Sequence, residues 1–224
     1  MPTANRSRSV MIIGATGLVG ARLFDLLLND ISVNRIVLLG RSFPTVSHPK
    51  VVKVTTDFSD LQLLKNHFDD IQILFCCIGT TIKKAGSRDA FRKVDYEIPV
   101  RLAEVASAAG VIKFIAISSL GAELSSTNFY LKTKAEMEKD VVAYPFQKVA
   151  FVRPSLLLGN RNETRVGEKL IRVLLVLFSF LLIGKFRKLR PIQDVTVAKA
   201  MNMITNSVNN QKVYESNELA WLGK

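Results

Sequence analysis

The stretch Val10-Met-Ile-Ile-Gly-Ala-Thr-Gly-Leu-Val-Gly20 constrains this chain more than any other. Four apolar residues, Val10 to Ile13, read as a short buried strand. Gly14, Gly17 and Gly20 follow at steps of three, and from Leu18 onward Leu23, Leu26 and Leu27 recur at helical spacing. A strand that turns through glycines into a helix has the geometry of a dinucleotide phosphate site. The first glycine permits the tight turn, and small residues let a pyrophosphate approach the backbone. The last glycine lets helix and strand pack closely, and the helix N-terminus offers free N–H groups to the anion. Thr16 stands where the commoner G-x-G-x-x-G has its middle glycine. By pattern alone, a simple turn is therefore an equal reading.

The chain beyond Gly20 repeats strand and helix. Arg35 to Leu39, Val51 to Val54, Ile71 to Ile78, Lys113 to Ser118 and Lys148 to Val152 read as strands. Between them lie helical stretches from Asp60 to His67, from Asp89 to Ala109 and from Phe129 to Val142. Ser59 or Asp60 caps the first, Pro99 breaks or kinks the second, and Gly110 ends it. Residues 82–88 read as a basic loop. This alternation predicts an α/β fold, a doubly wound parallel sheet covered on both faces. Residues 1–9 read as a flexible tail and 10–224 as one domain. Within it, 155–224 form a small C-terminal lobe for substrate or interface, with a helix from Val195 to Ser207.

Strand ends carry the ligand chemistry in such a fold. Arg41 follows the second strand, where an acid would hold the 2′-hydroxyl of NAD and an arginine accommodates the 2′-phosphate of NADP. A solvated surface arginine is the alternative. Asp57 follows the third strand, where a carboxylate can accept from the adenine amine or simply cap a helix. Gly79 and Thr80 end the fourth strand, and a small residue there lets a ligand pass over the sheet.

The only cysteines, Cys76 and Cys77, are adjacent, so they cannot staple distant segments. With no His, Asp or Glu nearby they suggest no metal site. They read as buried residues of a reducing compartment, hence the cytoplasm. The net charge of +12 is unevenly spread. Residues 161–190 hold eight bases and two acids, net +6, around a run from Val173 to Ile183 in which only Ser179 is polar. As a helix that run rises about 16 Å, roughly half a bilayer's hydrocarbon core, so it does not span a membrane. Residues 168–190 suit a core or homodimer helix, or a peripheral membrane contact with basic flanks. Nucleic acid is not expected as a partner, because the chain has one Trp and no basic–aromatic interleaving.

Tyr130 and Lys134 stand at i and i+4, on one helix face. An ammonium beside a phenol favours its ionised form, which suits proton exchange with a carbonyl or hydroxyl oxygen. Ser118 and Ser119 end the preceding strand, where a hydroxyl can orient that oxygen. Such a pair is common by chance, so its weight comes from position.

Gly14-Ala-Thr-Gly-Leu-Val-Gly20, Ser118-Ser119 and Tyr130 with Lys134 occur in the order of the short-chain dehydrogenase/reductases, which the chain resembles. More narrowly it resembles the atypical group of Tat-interacting-protein-type oxidoreductases. That match rests on Leu39-Gly-Arg41, Phe75-Cys-Cys-Ile-Gly-Thr-Thr81, Lys84-Ala-Gly86, Val94-Asp95, Ser118-Ser-Leu-Gly-Ala122, Arg153-Pro154 and the arginine segment from Arg161 to Glu168. The resemblance implies a Rossmann-type fold with NADP(H) preferred over NAD(H). It implies that Gly14, Ala15, Thr16, Gly17, Leu18 and Val19 wrap the pyrophosphate and that Arg41 meets the 2′-phosphate. Asp57, Phe58, Cys77, Ile78, Gly79, Thr80, Ser118, Pro154, Leu157 and Arg165 complete the implied cofactor contacts. Lys134 would hold ribose hydroxyls, Tyr130 would give the proton, and Ser119 is the preferred serine. The expected activity is hydride transfer to or from an unidentified carbonyl or alcohol. The alternative is a non-catalytic NADP(H)-binding regulatory or membrane-associated protein.

Overall fold

The computed structural model describes residues 7–159 and 184–224. Strands β1 (Arg8–Ile13), β2 (Val33–Gly40), β3 (Val51–Thr55), β4 (Ile73–Cys76), β5 (Lys113–Ile117), β6 (Lys148–Arg153) and β9 (Val213–Glu215) form one sheet in the order β3-β2-β1-β4-β5-β6-β9. Every neighbouring pair is parallel. The order reverses between β1 and β4, which opens a crevice at the strands' C-terminal ends, where ligands bind in such sheets. A second, two-stranded sheet pairs β7 (Leu157–Leu158) with β8 (Ile192–Gln193).

The strands are apolar on both faces because helices cover both. Alternate residues go to opposite cores. Val10, Ile12, Ile36, Leu38, Ile73 and Phe75 join one cluster with Leu23 and Leu27 of α1 (Leu18–Leu28). Met11, Ile13, Val37, Leu39, Leu74 and Cys76 join the other. That second core includes Leu102 and Ala106 of α4 (Ile98–Ala108) and Met137 and Val141 of α5 (Phe129–Val142).

Several boundaries differ from the sequence expectation for physical reasons. Strand β1 begins at Arg8, inside the expected tail, because the Arg8 guanidinium pairs with Asp30 at 2.6 Å and its N–H donates to the Ser32 carbonyl. The stretch from Asp60 tightens into a 3₁₀ helix, Gln62–Phe68, with the Asp60 carboxylate accepting from the Gln62 N–H. The basic loop contains a helical turn, α2 (Ile82–Ala85), capped by the Thr81 hydroxyl and closed by left-handed Gly86. The helix after Asp89 is not broken at Pro99. It runs as α3 (Arg88–Arg92), a π turn (Lys93–Glu97) and α4, with proline at the start of α4. Proline cannot donate to the carbonyl four residues back, and the wider π register absorbs the missing bond.

The C-terminal residues return to the main domain. Helix α6 (Asp194–Ile204) buries Val197, Ala198, Met201 and Ile204 in the same cluster as α1. A strand and helix that the sequence did not suggest follow. β9 extends the sheet, and α7 (Ser216–Leu222) starts with a reciprocal capping box between Glu215 and Glu218. The apolar run 173–183, the arginine segment and Arg165 lie outside the described residues.

Candidate functional site

The turn between β1 and α1 is built by exclusion of side chains. Gly14 has φ +85°, and a Cβ there would stand 2.8 Å from the carbonyl carbon and oxygen of Cys77. A Cβ on Gly20 would stand 2.1 Å from the Gly14 carbonyl oxygen. The Gly17 N–H donates to that same oxygen at 3.0 Å, which closes the turn. Gly17 is also the N-cap of α1, and no side chain caps this end. The helix's first N–H groups are thus left for an anion. Thr16 and Gly17 are exposed, Leu18 is half-buried, and Ala15 and Val19 are buried beneath them.

The other expected residues gather along the same C-terminal edge. Arg41 is exposed just beyond the end of β2. Asp57, beyond β3, is fully exposed. The Ser59 hydroxyl and the Ser59 N–H, the latter donating to the carboxylate at 2.9 Å, hold its proton affinity below the usual value. Phe58 turns its ring into the core with Leu61 and Leu64, on a left-handed backbone of φ 65°. Cys77 follows β4 and pairs its N–H with the Ile13 carbonyl; Ile78, Gly79 and Thr80 continue past it. Pro154 follows β6, and its carbonyl accepts from the Leu120 N–H, tying this strand end to the one carrying the serines. Leu157 lies in β7.

Both thiols are chemically quiet. Burial pushes the Cys76 thiol up to about 12 and raises Cys77 well above its ordinary value. Neither offers a thiolate near neutral pH. Among the described residues no cluster of His, Cys, Asp or Glu could hold a metal.

Helix α5 starts at Asn128, whose side-chain oxygen accepts from the N–H groups of Tyr130 and Leu131. This cap fixes the first turn and so the direction of the Tyr130–Lys134 face. Tyr130 is half-buried, with its ring 5.4 Å from that of Phe91 in α3. Lys134 is buried, and its Nζ donates to the Ile117 carbonyl at the end of β5. Ser118 is buried, and its Oγ has no hydrogen-bond partner. Ser119 is half-buried, and its Oγ donates to the Leu120 carbonyl at 3.3 Å. A buried hydroxyl without a partner is costly unless a ligand or water completes it.

Asp95 was not among the site residues expected from sequence. It lies in the π turn, 1% exposed, with Oδ1 2.7 Å from Lys134 Nζ. Its Oδ2 accepts from the Thr80 N–H at 2.8 Å. Burial by itself lowers the proton affinity of Lys134. The Asp95 carboxylate, with smaller help from Tyr130, outweighs that and raises its proton affinity above the ordinary value. An aspartate in a polar helical stretch looks solvated in sequence; only the fold brings it to a lysine on another helix.

The residues fit a dinucleotide: a side-chain-free cradle, an uncapped helix N-terminus and an orphaned hydroxyl share one edge. A cleft of about 470 Å³ at the opposite edge, lined by Ser9, Asn34, Arg35 and Gln72 among others, has none of these features.

Comparison with known proteins agrees with this geometry. A family described as NAD(P)H-binding matches residues 14–170. Protein HTATIP2 of Rattus norvegicus is 33% identical over 224 residues, covering 98% of this chain and 90% of that protein. "Protein FMP52-1, mitochondrial" of Scheffersomyces stipitis is 32% identical over 159 residues, 70% of each chain. A dTDP-glucose 4,6-dehydratase from Streptomyces venezuelae, solved with NAD bound, superposes with a TM-score of 0.71 at 16% identity, covering 92% of this chain and 74% of that one. A Helicobacter pylori ADP-L-glycero-D-manno-heptose-6-epimerase gives 0.68 at 16%, covering 98% and 82%. These structures share the fold. The fungal relative's name points to mitochondria, whereas cysteine usage suggested the cytoplasm. Among the described residues no helix is long and apolar enough to cross a membrane.

Proposed function

We propose, from the premise that this chain belongs to the NAD(P)H-binding family of Rossmann-fold proteins, that it is an NADP(H)-dependent oxidoreductase acting on a carbonyl or alcohol. The observation that carries this reading is Tyr130 one helical turn from a buried Lys134 ammonium, whose Nζ reaches the strand end that carries the orphaned Ser118 hydroxyl, on the glycine turn's edge of the sheet. The alternative, a protein that only binds the cofactor, is disfavoured by a retained proton donor.

Gly14, Ala15, Thr16, Gly17, Leu18 and Val19 would hold the pyrophosphate, and Arg41 the 2′-phosphate of NADP. Gly79, Thr80 and Lys134 would hold the sugar next to the nicotinamide. The cofactor supplies hydride chemistry. The chain's own residues handle position and the proton. The Tyr130 phenol gives its proton to the substrate oxygen during reduction and is left as phenolate, and that phenolate takes the proton from the substrate hydroxyl during oxidation. A serine hydroxyl donates a hydrogen bond to the same oxygen. Ser118 suits this better than Ser119, whose hydroxyl is already engaged by Leu120.

The cofactor preference is tested by titrating NADPH and NADH into the protein and into Arg41→Ala. A charge-assisted bond to phosphate is worth about 1.5–3 kcal/mol, roughly 10- to 150-fold in affinity. The variant should lose that factor for NADPH and keep its NADH affinity. Equal binding of both cofactors by the unaltered protein would contradict the preference.

Peripheral membrane contact is a second reading, favoured by one feature. In the turn Gly184–Leu189, Phe186 is 62% and Leu189 44% exposed, with Arg187 exposed between them. Co-sedimentation with anionic vesicles at low salt tests it, and an unchanged supernatant would count against it.

A further inference from the structure

The contacts of Asp95 reach further than those of a helix-surface aspartate. It sits in the one π turn of the described residues, and its two oxygens address two different parts of the site. Oδ2 accepts from the Thr80 N–H, in the segment that follows β4. Oδ1 stands 2.7 Å from Lys134 Nζ, on α5. The side chains of Lys134 and Asp95 are 3% and 1% exposed, so water screens this pair very little. A Cβ on Gly79 would come within 3.4 Å of Asp95 Oδ1 and 3.9 Å of Lys134 Nζ. The pair therefore lies directly under the glycine that the proposed cofactor sugar would cross.

We propose that Asp95 is a positioning residue that acts through Lys134: its carboxylate holds the buried lysine side chain as an ammonium and anchors it to the Gly79–Thr80 turn. The proposal rests on the reading of Lys134 as a cofactor contact. Its electrostatic core concerns only the two side chains and can be examined without cofactor. Among the described residues, the groups facing Lys134 are few. Asp95 comes from the π turn, Cys76 from β4 and Tyr130 from α5 itself, and the Ile117 carbonyl from β5 accepts its hydrogen bond. Burial keeps the Cys76 thiol protonated, with its proton affinity pushed up to about 12. Asp95 is thus the negative partner that offsets burial of the ammonium. Without it, burial favours the neutral amine. A neutral amine still fits the same space but gives the sugar hydroxyls a weaker, uncharged donor.

Pro99 lies behind the π turn itself. Asp95 is the residue four before Pro99, so its carbonyl has no N–H to meet there in an ordinary helix. The widened turn that accommodates the proline is the same turn that carries the carboxylate.

The experiment uses the full chain labelled with ¹³C at the lysine ε-carbon, with Lys134→Met to assign the resonance. The Lys134 signal is followed against pH in the unaltered protein and in Asp95→Asn. In the variant the signal should titrate at lower pH than in the unaltered protein. An unchanged titration would overturn the proposal, whether or not a substrate is known. NADPH affinity is measured alongside by fluorescence. The variant should bind about tenfold more weakly once pH has risen through its lowered Lys134 titration, the difference between a charged and a neutral hydrogen bond, and the unaltered protein should show no such loss from this lysine over the same range. If Asp95→Asn does not fold, the double variant Asp95→Asn with Lys134→Met decides. Removing both groups should restore folding, because a buried lysine without its carboxylate costs stability whether it stays charged or gives up its proton. A double variant no more stable than the single one would refute the pairing. Altered titration with no turnover on any carbonyl would preserve this proposal and count against the oxidoreductase reading instead.

Discussion

Replacing Gly20 by alanine tests the glycine turn as a built cradle. The added Cβ would stand 2.1 Å from the Gly14 carbonyl oxygen and 2.9 Å from its carbon, both main-chain atoms. An ordinary contact needs about 3.5 Å, so helix α1 and the turn must separate by more than an ångström. Overpacking of this kind costs about 1–3 kcal/mol. Because no side-chain end can move aside, the upper figure applies. In a chain of this size about 3 kcal/mol lowers the melting temperature by roughly 6–12 °C. The same displacement moves the Gly14 carbonyl that closes the turn on Gly17, so cofactor binding should fail together with stability. Differential scanning fluorimetry with and without NADPH reads both. At about 100 times its dissociation constant, NADPH should stabilise the unaltered protein by about 2.7 kcal/mol, and Gly20→Ala should show almost none of this. Gly86→Ala is the control. Its φ of +89° strains alanine, but nothing lies within 4 Å, so it should cost only about 1–2 kcal/mol and keep the NADPH response. Unaltered melting and binding in Gly20→Ala would refute the account of the turn.

Two other changes separate stability from chemistry. Ser118→Ala removes a buried hydroxyl that has no partner, so melting should stay within about 1–2 °C of the unaltered protein. Turnover should fall more than in Ser119→Ala, and the reverse order in a steady-state assay would reassign the serine. Asp30→Asn probes the anchoring of β1: burial raises the carboxyl's proton affinity, but bonds from the Ser32 hydroxyl and N–H and the Arg8 charge outweigh it, for a net lowering below 3.8. The resulting stability is fully present above that value and is lost as pH falls through the lower folded-state value. Unfolding free energies from urea titrations should therefore differ by about 1 kcal/mol at pH 7 and converge in acid; a gap constant with pH would contradict the ion pair.

Most of the architecture was legible because it rests on local pattern. Buried runs such as Val10–Ile13 and Lys113–Ile117 carry the strand signal, and the glycine steps after Ile13 carry the turn. Apolar residues on both strand faces implied two covering layers, although sequence could not say which residue faced which core. Pro99 signalled a disturbance but not its form, since a break, a kink and a π turn all satisfy a missing N–H. The end of the chain went unread for different reasons. Val213–Glu215 is too short to show alternation, whereas the capping box of Glu215 with Glu218 was a usable signal just before α7. At the site, strand-end residues such as Arg41 and Gly79 could be found by position, because each follows a strand. Asp95 could not, since its meaning depends on Lys134, which another element brings within 2.7 Å. The partnerless Ser118 hydroxyl is likewise a tertiary fact, which adjacent serines in sequence cannot distinguish.

The central claim is that this chain uses a bound nicotinamide for chemistry, with Tyr130 moving the proton. Its most direct test is Tyr130→Phe, which keeps the ring beside Phe91 and removes one oxygen. NADPH affinity and NADPH-dependent reduction of a broad carbonyl panel would be measured on the variant and the unaltered protein. The account predicts turnover in the unaltered protein, nearly equal NADPH affinity in both, and a loss of about 10²- to 10⁴-fold in rate in the variant. Equal turnover in the two proteins, or tight NADPH binding by the unaltered protein with no turnover on any carbonyl, would contradict it.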